Sequence, residues 1–157
     1  MKAKKGVVDL LNRVLTNELT AINQYFVHAE MCRHWGFERL YEKIKKHSFD
    51  EMKDAHELIE HILFLDGIPN LQRLGQVQIG ETVLEQLNLD LRLEQEAVGV
   101  LTDAITHCVK VGDYNTRGKL ERMVQGEEEH IDWIETQLDA IKRVGVENYL
   151  SQQIKKE

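Results

Sequence analysis

Several residue types are scarce in this chain, and each scarcity narrows the class of protein. One proline and ten glycines in 157 residues, with Leu, Ile, Val and Glu recurring throughout, favour an all-α fold over a sheet. The only cysteines, Cys32 and Cys108, form no C-x-x-C motif, so neither a disulfide framework nor a zinc knuckle is indicated. No apolar run is long enough to cross a bilayer, which argues against a membrane partner.

Positive charge is also in short supply, since the formal net charge is −7. Nucleic acids and anionic membranes both bind basic surfaces, so neither is expected as the main partner, whereas cations suit an acidic protein. The basic first residues lead into an amphipathic segment and not into the apolar stretch of a signal peptide. Together with the low cysteine content, this predicts a cytoplasmic location.

Apolar residues recur at intervals of three and four along most of the chain, which predicts amphipathic helices. Gly and Pro interrupt the pattern over residues 66–80, a long connection that we interpret as a crossover between the second and third helices. A short helix is expected within 147–154. The sequence therefore predicts one domain, 1–157, an all-α four-helix bundle with a short fifth helix. The four long helices are expected at about 7–34, 38–65, 81–111 and 115–144.

Each predicted long helix carries a glutamate in or beside its apolar stripe. A single one would be read as a solvated residue at the stripe's edge, but four at mid-helix favour a metal centre, because a buried unpaired carboxylate is costly. His130 follows the last glutamate at the third step, and oxygen ligands with a few imidazoles suit iron or manganese. This resembles the layout of ferritin-like di-metal bundles, in which two helices carry a single glutamate and the other two carry a Glu-x-x-His motif. The four glutamates are Glu18, Glu51, Glu94 and Glu127.

One position departs from that layout, because Asp54 stands where a second Glu-x-x-His motif would have histidine. An aspartate oxygen and an imidazole Nδ1 are equally many bonds from the backbone, so Asp54 is a candidate ligand of similar reach. Five carboxylates would face two ferrous ions, an excess of negative charge that favours ferric iron and weakens its release. His47, on the same face as Glu51, is a candidate replacement imidazole; the alternative is a cavity-facing or partly exposed histidine without a metal role.

Other aromatic and imidazole side chains near this pattern have simpler interpretations. Tyr25 and Trp133 are expected to pack in the core, although either could donate single electrons to a nearby metal. His56 and His61 are expected at the surface or in a cavity.

Four stretches of the sequence resemble bacterioferritin, and the similarity covers essentially the whole chain. They are residues 18–26 (ELTAINQYF), 50–53 (DEMK), 62–72 (ILFLDGIPNLQ) and 128–133 (EEHIDW). The resemblance implies a hollow shell of 24 subunits, with haem b on each two-fold axis between two symmetry-related methionines. Met52 is the residue at that position, and two identical thioethers across an isologous interface suit a symmetric porphyrin. Leu19, Ile22, Asn23 and Phe26 would line the haem pocket.

The resemblance also implies iron storage, with a ferroxidase di-iron centre, a ferric mineral in the shell and electrons supplied through the haem for iron release. Its ligands would be Glu18, Glu51, Glu94, Glu127 and His130, with Asp54 at the departing position. Candidate partners are a second bacterioferritin subunit type and a ferredoxin-type reductant. The alternative is a haem-binding subunit whose ferroxidase centre is impaired by Asp54 and which works in a mixed shell. Residues 45–49 lack the His-Glu pair of many family members, which argues against an inner-surface iron site.

Overall fold

Five helices make up the fold, and a computed structural model describes them over residues 1–155. The all-α four-helix bundle with a short fifth helix is confirmed, and no strand occurs in the described residues. None of the helices there is long and apolar enough to span a membrane. The helices are α1 (Val7–His34), α2 (Glu38–Phe64), α3 (Val83–Val111), α4 (Tyr114–Val144) and α5 (Val146–Ser151).

The helix ends follow local chemistry and fall within a few residues of their predicted positions. Thr82 caps α3 by accepting a hydrogen bond from the Glu85 backbone N–H, so the helix starts just after the predicted residues. Gly112 ends α3 in the left-handed conformation, with φ of 75°. The Asp113 side chain then caps α4 through the Thr116 N–H, and α3 and α4 become an antiparallel pair.

The connection between α2 and α3 is the predicted crossover, and it is hydrogen-bonded to α1 along its length. Side chains of α1 accept hydrogen bonds from successive backbone N–H groups of the crossover, so the two segments advance in the same direction. Consequently α3 begins beside the C-terminal end of α1 and runs antiparallel to it. The pairs are Asn12 with Asn70, Thr20 with Gly75, Gln24 with Gln78 and His28 with Gly80, at 2.8 to 3.1 Å.

The apolar core is divided into two clusters along the bundle axis. One contains Leu15, Ala55 and Leu101, and the other contains Ala21 and Ile44. On each long helix, the predicted glutamate lies in sequence between residues of one cluster and residues of the other. A layer of buried charge therefore separates two blocks of ordinary hydrophobic packing.

Gly80 is needed where the crossover enters α3, because a Cβ atom there would lie 2.5 Å from the Gln86 backbone nitrogen. We expect Gly80→Ala to lower the stability by about 1–3 kcal/mol, the usual cost of overpacking. Thermal unfolding of the assembled protein would measure the change.

The matched control is Gly99→Ala, at an exposed position of α3 where a Cβ would meet no atom within 4 Å. That change should raise the stability by about 0.5–1 kcal/mol, because alanine is the better helix former. Equal effects of the two substitutions would contradict the packing argument.

Candidate metal centre

The four sequence-predicted glutamates meet at the middle of the bundle, one from each long helix. Glu18, Glu51, Glu94 and Glu127 are each at most 1% exposed, and His130 is 6% exposed. Carboxylates are rarely buried to this extent unless they are paired or bind a cation. The geometry therefore identifies a polar centre inside the bundle.

Ligand atoms at this centre form two overlapping groups, each with four members within 4.8 Å of one another. Glu51 and Glu127 belong to both groups. Two cations placed in the two groups would share these carboxylates as bridges. One group adds Glu94 and His130, and the other adds Glu18 and Asp54.

Most oxygen atoms of the centre lack hydrogen-bond partners. Both carboxylate oxygens of Glu51 and both of Glu127 are buried without a partner, as are one of Glu18 and one of Glu94. Unpaired buried acceptors cost free energy that a bound cation would recover. The residues present thus fit a pair of metal ions, and oxygen ligands with one imidazole suit iron or manganese.

Protons compensate the charge when no cation is bound. Burial, and next the charge of Glu51, raise the pKa of Glu18 well above its usual range. Burial and the charge of Glu94 likewise raise the pKa of Glu51. Burial, followed by the charge of Glu57, raises the pKa of Asp54 to about 6. Metal binding at neutral pH should therefore displace protons from this centre.

Asp50 orients the imidazole of His130. The Nε2 atom of His130 lies 3.1 Å from Asp50 Oδ2, while Nδ1 faces the carboxylates, 3.0 Å from Glu51 Oε1 but without the alignment of a hydrogen bond. Burial alone would lower the pKa of His130, but the carboxylates of Glu94 and Asp50 outweigh it and the pKa is raised. A carboxylate behind a ligating imidazole fixes its ring orientation and strengthens it as a donor.

Tyr25 positions a second candidate ligand, Glu94, because the Tyr25 hydroxyl donates a short hydrogen bond to Glu94 Oε1. Its ring is fully buried, so the expected core position is confirmed, and Trp133 packs against the same cluster. Helical spacing places Tyr25 on the inner face of α1, but it gives no sign of a contact with α3. Only the packing of α1 against α3 reveals the supporting role of Tyr25, and only the packing of α2 against α4 reveals that of Asp50.

His47 does not replace the missing imidazole, since it belongs to neither group of candidate ligands. Its ring stacks on His130 with centroids 4.1 Å apart, and it meets the edges of Tyr25 and Trp133. Burial, with the charge of His130 next, lowers the pKa of His47 to about 2, so the ring is neutral. His47 is therefore a buried residue that packs against His130.

His56, His61 and His28 belong to neither group of candidate ligands and contact other parts of the bundle. His56 is exposed as expected and pairs with Glu60, whereas His61 is buried and lies 2.7 Å from the Thr116 hydroxyl. Of the two positions expected for His61, surface or cavity, the surface position is wrong, because the residue is buried against Thr116 of α4. His28 is also buried, between Asp90 and the Gly80 N–H.

Met52 lies outside the centre, on the surface formed by α1 and α2. Its side chain is 49% exposed, although Glu51 beside it is buried, as expected of adjacent positions on a helix. The Ser48 hydroxyl donates to the Ile22 carbonyl, which brings this part of α2 against α1. Phe26 and Phe49 are 58% and 49% exposed on the same two helices, so Met52 stands in a partly apolar surface.

The Ferritin family model, described as a ferritin-like domain, matches residues 8–144. Fold and buried centre thus define a ferritin-like protein. A bacterioferritin of Mycobacterium bovis is 45% identical over 152 residues, 97% of this chain and 96% of the relative. One of Streptomyces coelicolor is 42% identical over 151 residues (96% and 90%), and one of Brucella melitensis 39% over 149 (95% and 92%). The chain belongs to the bacterioferritin family, which confirms the resemblance and supports iron storage as the general function.

The raised pKa of Asp54 predicts how Asp54→Asn changes the metal-free protein. As the pH rises from 3.8, the usual pKa, to about 6, the unfolded chain loses this proton before the folded chain does, so the carboxyl increasingly destabilises the fold. The advantage of Asp54→Asn in thermal unfolding midpoint should therefore grow across this window and then level off.

Asp103→Asn is the matched control, because Asp103 is exposed on α3. The difference in thermal unfolding midpoint between Asp103→Asn and the wild type should not grow over the same pH range. A constant difference between wild type and Asp54→Asn would show that the folded protein does not perturb this carboxyl.

Proposed function

We propose that this chain is an iron-storing ferroxidase of the bacterioferritin type. Ferrous iron, the substrate, binds at the centre between the four helices and is oxidised there by oxygen or peroxide, and the ferric product collects as a mineral inside a shell of 24 subunits. The observation that carries the proposal is the pair of overlapping ligand groups, in which most of the buried glutamate oxygens have no hydrogen-bond partner.

The proposed ligands follow from the two groups. Glu51 and Glu127 bridge both positions, Glu94 and His130 complete one, and Glu18 and Asp54 complete the other. Entry of two dications expels the protons that compensate the buried carboxyls, which leaves an anionic ligand set suited to the more highly charged ferric product. Asp50 and Tyr25 keep His130 and Glu94 in place while this charge changes.

Haem b is the second proposed component, and Met52 together with its symmetry-related copy would hold it. A half-exposed methionine, three residues after the exposed Phe49 on the same helix, suits a flat apolar group held at a two-fold interface. Leu19 and Ile22 are half-buried on the adjoining helix, with Asn23 and Phe26 exposed next to them. Bound haem supplies one-electron transfer, with a ferredoxin-type protein in the cytoplasm as the proposed reductant for iron release.

Removal of two ligands tests the oxidation. Glu18→Ala with Glu127→Ala deletes one bridging and one terminal carboxylate, so the rapid phase of ferrous iron oxidation in stopped-flow absorbance should fall by at least roughly 100-fold. Glu128→Ala with Glu129→Ala, at exposed positions of α4, is the matched control and should retain the rate. An unchanged rate in the first variant would exclude this centre as the site of oxidation.

Asp54 supports a second candidate function, a haem-binding subunit whose own centre turns over poorly within a mixed shell. The aspartate adds negative charge where an imidazole would be neutral, and this favours retention of the oxidised metal. The same stopped-flow experiment separates the two functions. Slow oxidation that becomes fast in Asp54→His favours the mixed shell, whereas repeated turnover by the wild-type chain alone favours the complete ferroxidase.

Substitution of Met52 tests the haem site independently of iron. Met52→Leu keeps the apolar volume but removes the thioether, so the purified protein should lose the absorption spectrum of bis-methionine haem. Met31→Leu, at a half-buried methionine of α1, should keep that spectrum. The same bis-methionine spectrum in Met52→Leu would rule out Met52 as the axial ligand.

A further inference from the structure

We propose that Asp54 makes the two positions of the centre differ in metal preference, so that Mn²⁺ competes better against Fe²⁺ at the Asp54 position than at the His130 position. The inference rests on the proposed function because it concerns the same centre. It adds a metal-selecting role for one residue.

The two positions differ in their donor atoms. The Asp54 position consists of four carboxylates, whereas the His130 position combines three carboxylates with one imidazole. Imidazole nitrogen suits iron and the later metals, and carboxylate oxygen suits manganese, magnesium and calcium. Loss of the imidazole at one position therefore weakens Fe²⁺ binding there more than it weakens Mn²⁺ binding.

No other imidazole in the described residues compensates for the aspartate. His47 lies beside His130 and belongs to neither group, His28 is hydrogen-bonded to Asp90 and the Gly80 N–H, and His61 contacts Thr116. The Asp54 position therefore offers only oxygen donors from its side chains.

Charge and burial favour Mn²⁺ over the other oxygen-seeking cations. The terminal ligands of this position, Glu18 and Asp54, are both carboxyl groups that become anionic once a metal displaces their protons, whereas one terminal ligand of the other position is an imidazole. Oxygen atoms of Glu18, Glu51 and Glu127 are buried without partners, so a cation there would contact several carboxylates directly. Mg²⁺ keeps several waters and usually takes one or two carboxylates, and Ca²⁺ takes six to eight ligands at longer distances, so Mn²⁺ suits four converging carboxylates better.

Anomalous diffraction tests the assignment without relying on activity. The assembled metal-free protein is exposed anaerobically to equimolar Mn²⁺ and Fe²⁺ and crystallised, and occupancies are measured at the manganese and iron absorption edges. The Mn-to-Fe ratio should be several-fold higher at the Asp54 position than at the His130 position. In Asp54→His that difference should disappear, whereas the exposed substitution Asp103→His should preserve it.

Each outcome separates this inference from the proposed function. Iron at both positions of the wild-type protein with the same Mn-to-Fe ratio would overturn metal selection and leave the ferroxidase intact. A ratio that persists in Asp54→His would show that another feature selects the metal. Absence of metal from both positions would overturn the proposed function as well. If Asp54→His fails to assemble, equal Mn-to-Fe ratios at the two positions of the wild-type protein would still overturn the inference.

Discussion

Burial of carboxylates at the centre of the bundle is the constraint on which the rest of the structure depends. Glu18, Glu51, Glu94 and Glu127 are removed from water, and most of their oxygens have no hydrogen-bond partner. Such an arrangement is unfavourable by itself, and protons relieve it only in part. Two cations would convert the same layer into a link between all four helices, so stability and function depend on the same atoms.

The remainder of the fold holds this layer in register. Hydrophobic clusters lie on either side of it along the bundle axis, and they supply the packing that the polar layer cannot. The crossover matters because side chains of α1, from Asn12 near its start to His28 near its end, accept hydrogen bonds from the crossover backbone. These bonds set the position along the bundle axis at which α3 begins beside α1. A shift of α3 by one turn would move Glu94 about 5 Å away from its partners.

Asp54 is the point at which this chain departs from the ligand layout of ferritin-like di-metal bundles. The aspartate belongs to one of the two groups of candidate ligands, where it brings a charge in place of a neutral ring. His47 lies beside the imidazole that the centre already has, so the two ends of the centre remain chemically unequal. We therefore regard Asp54 as the residue that decides whether this chain oxidises iron as a complete centre, works beside a second subunit or retains another metal.

The sequence by itself determined the bundle, its crossover and the glutamate on each long helix, because apolar periodicity and punctuation by Gly and Pro are local properties of the chain. It also marked Asp54 as the departure. Only the tertiary structure decided which side chains meet: that Glu51 and Glu127 belong to both ligand groups and that Tyr25 and Asp50 support the centre. It also decided that His47 is buried against His130 without joining either ligand group, and that His61 is buried against Thr116. Those facts depend on the relative rotation and height of helices distant in sequence, which periodicity within a single helix does not determine.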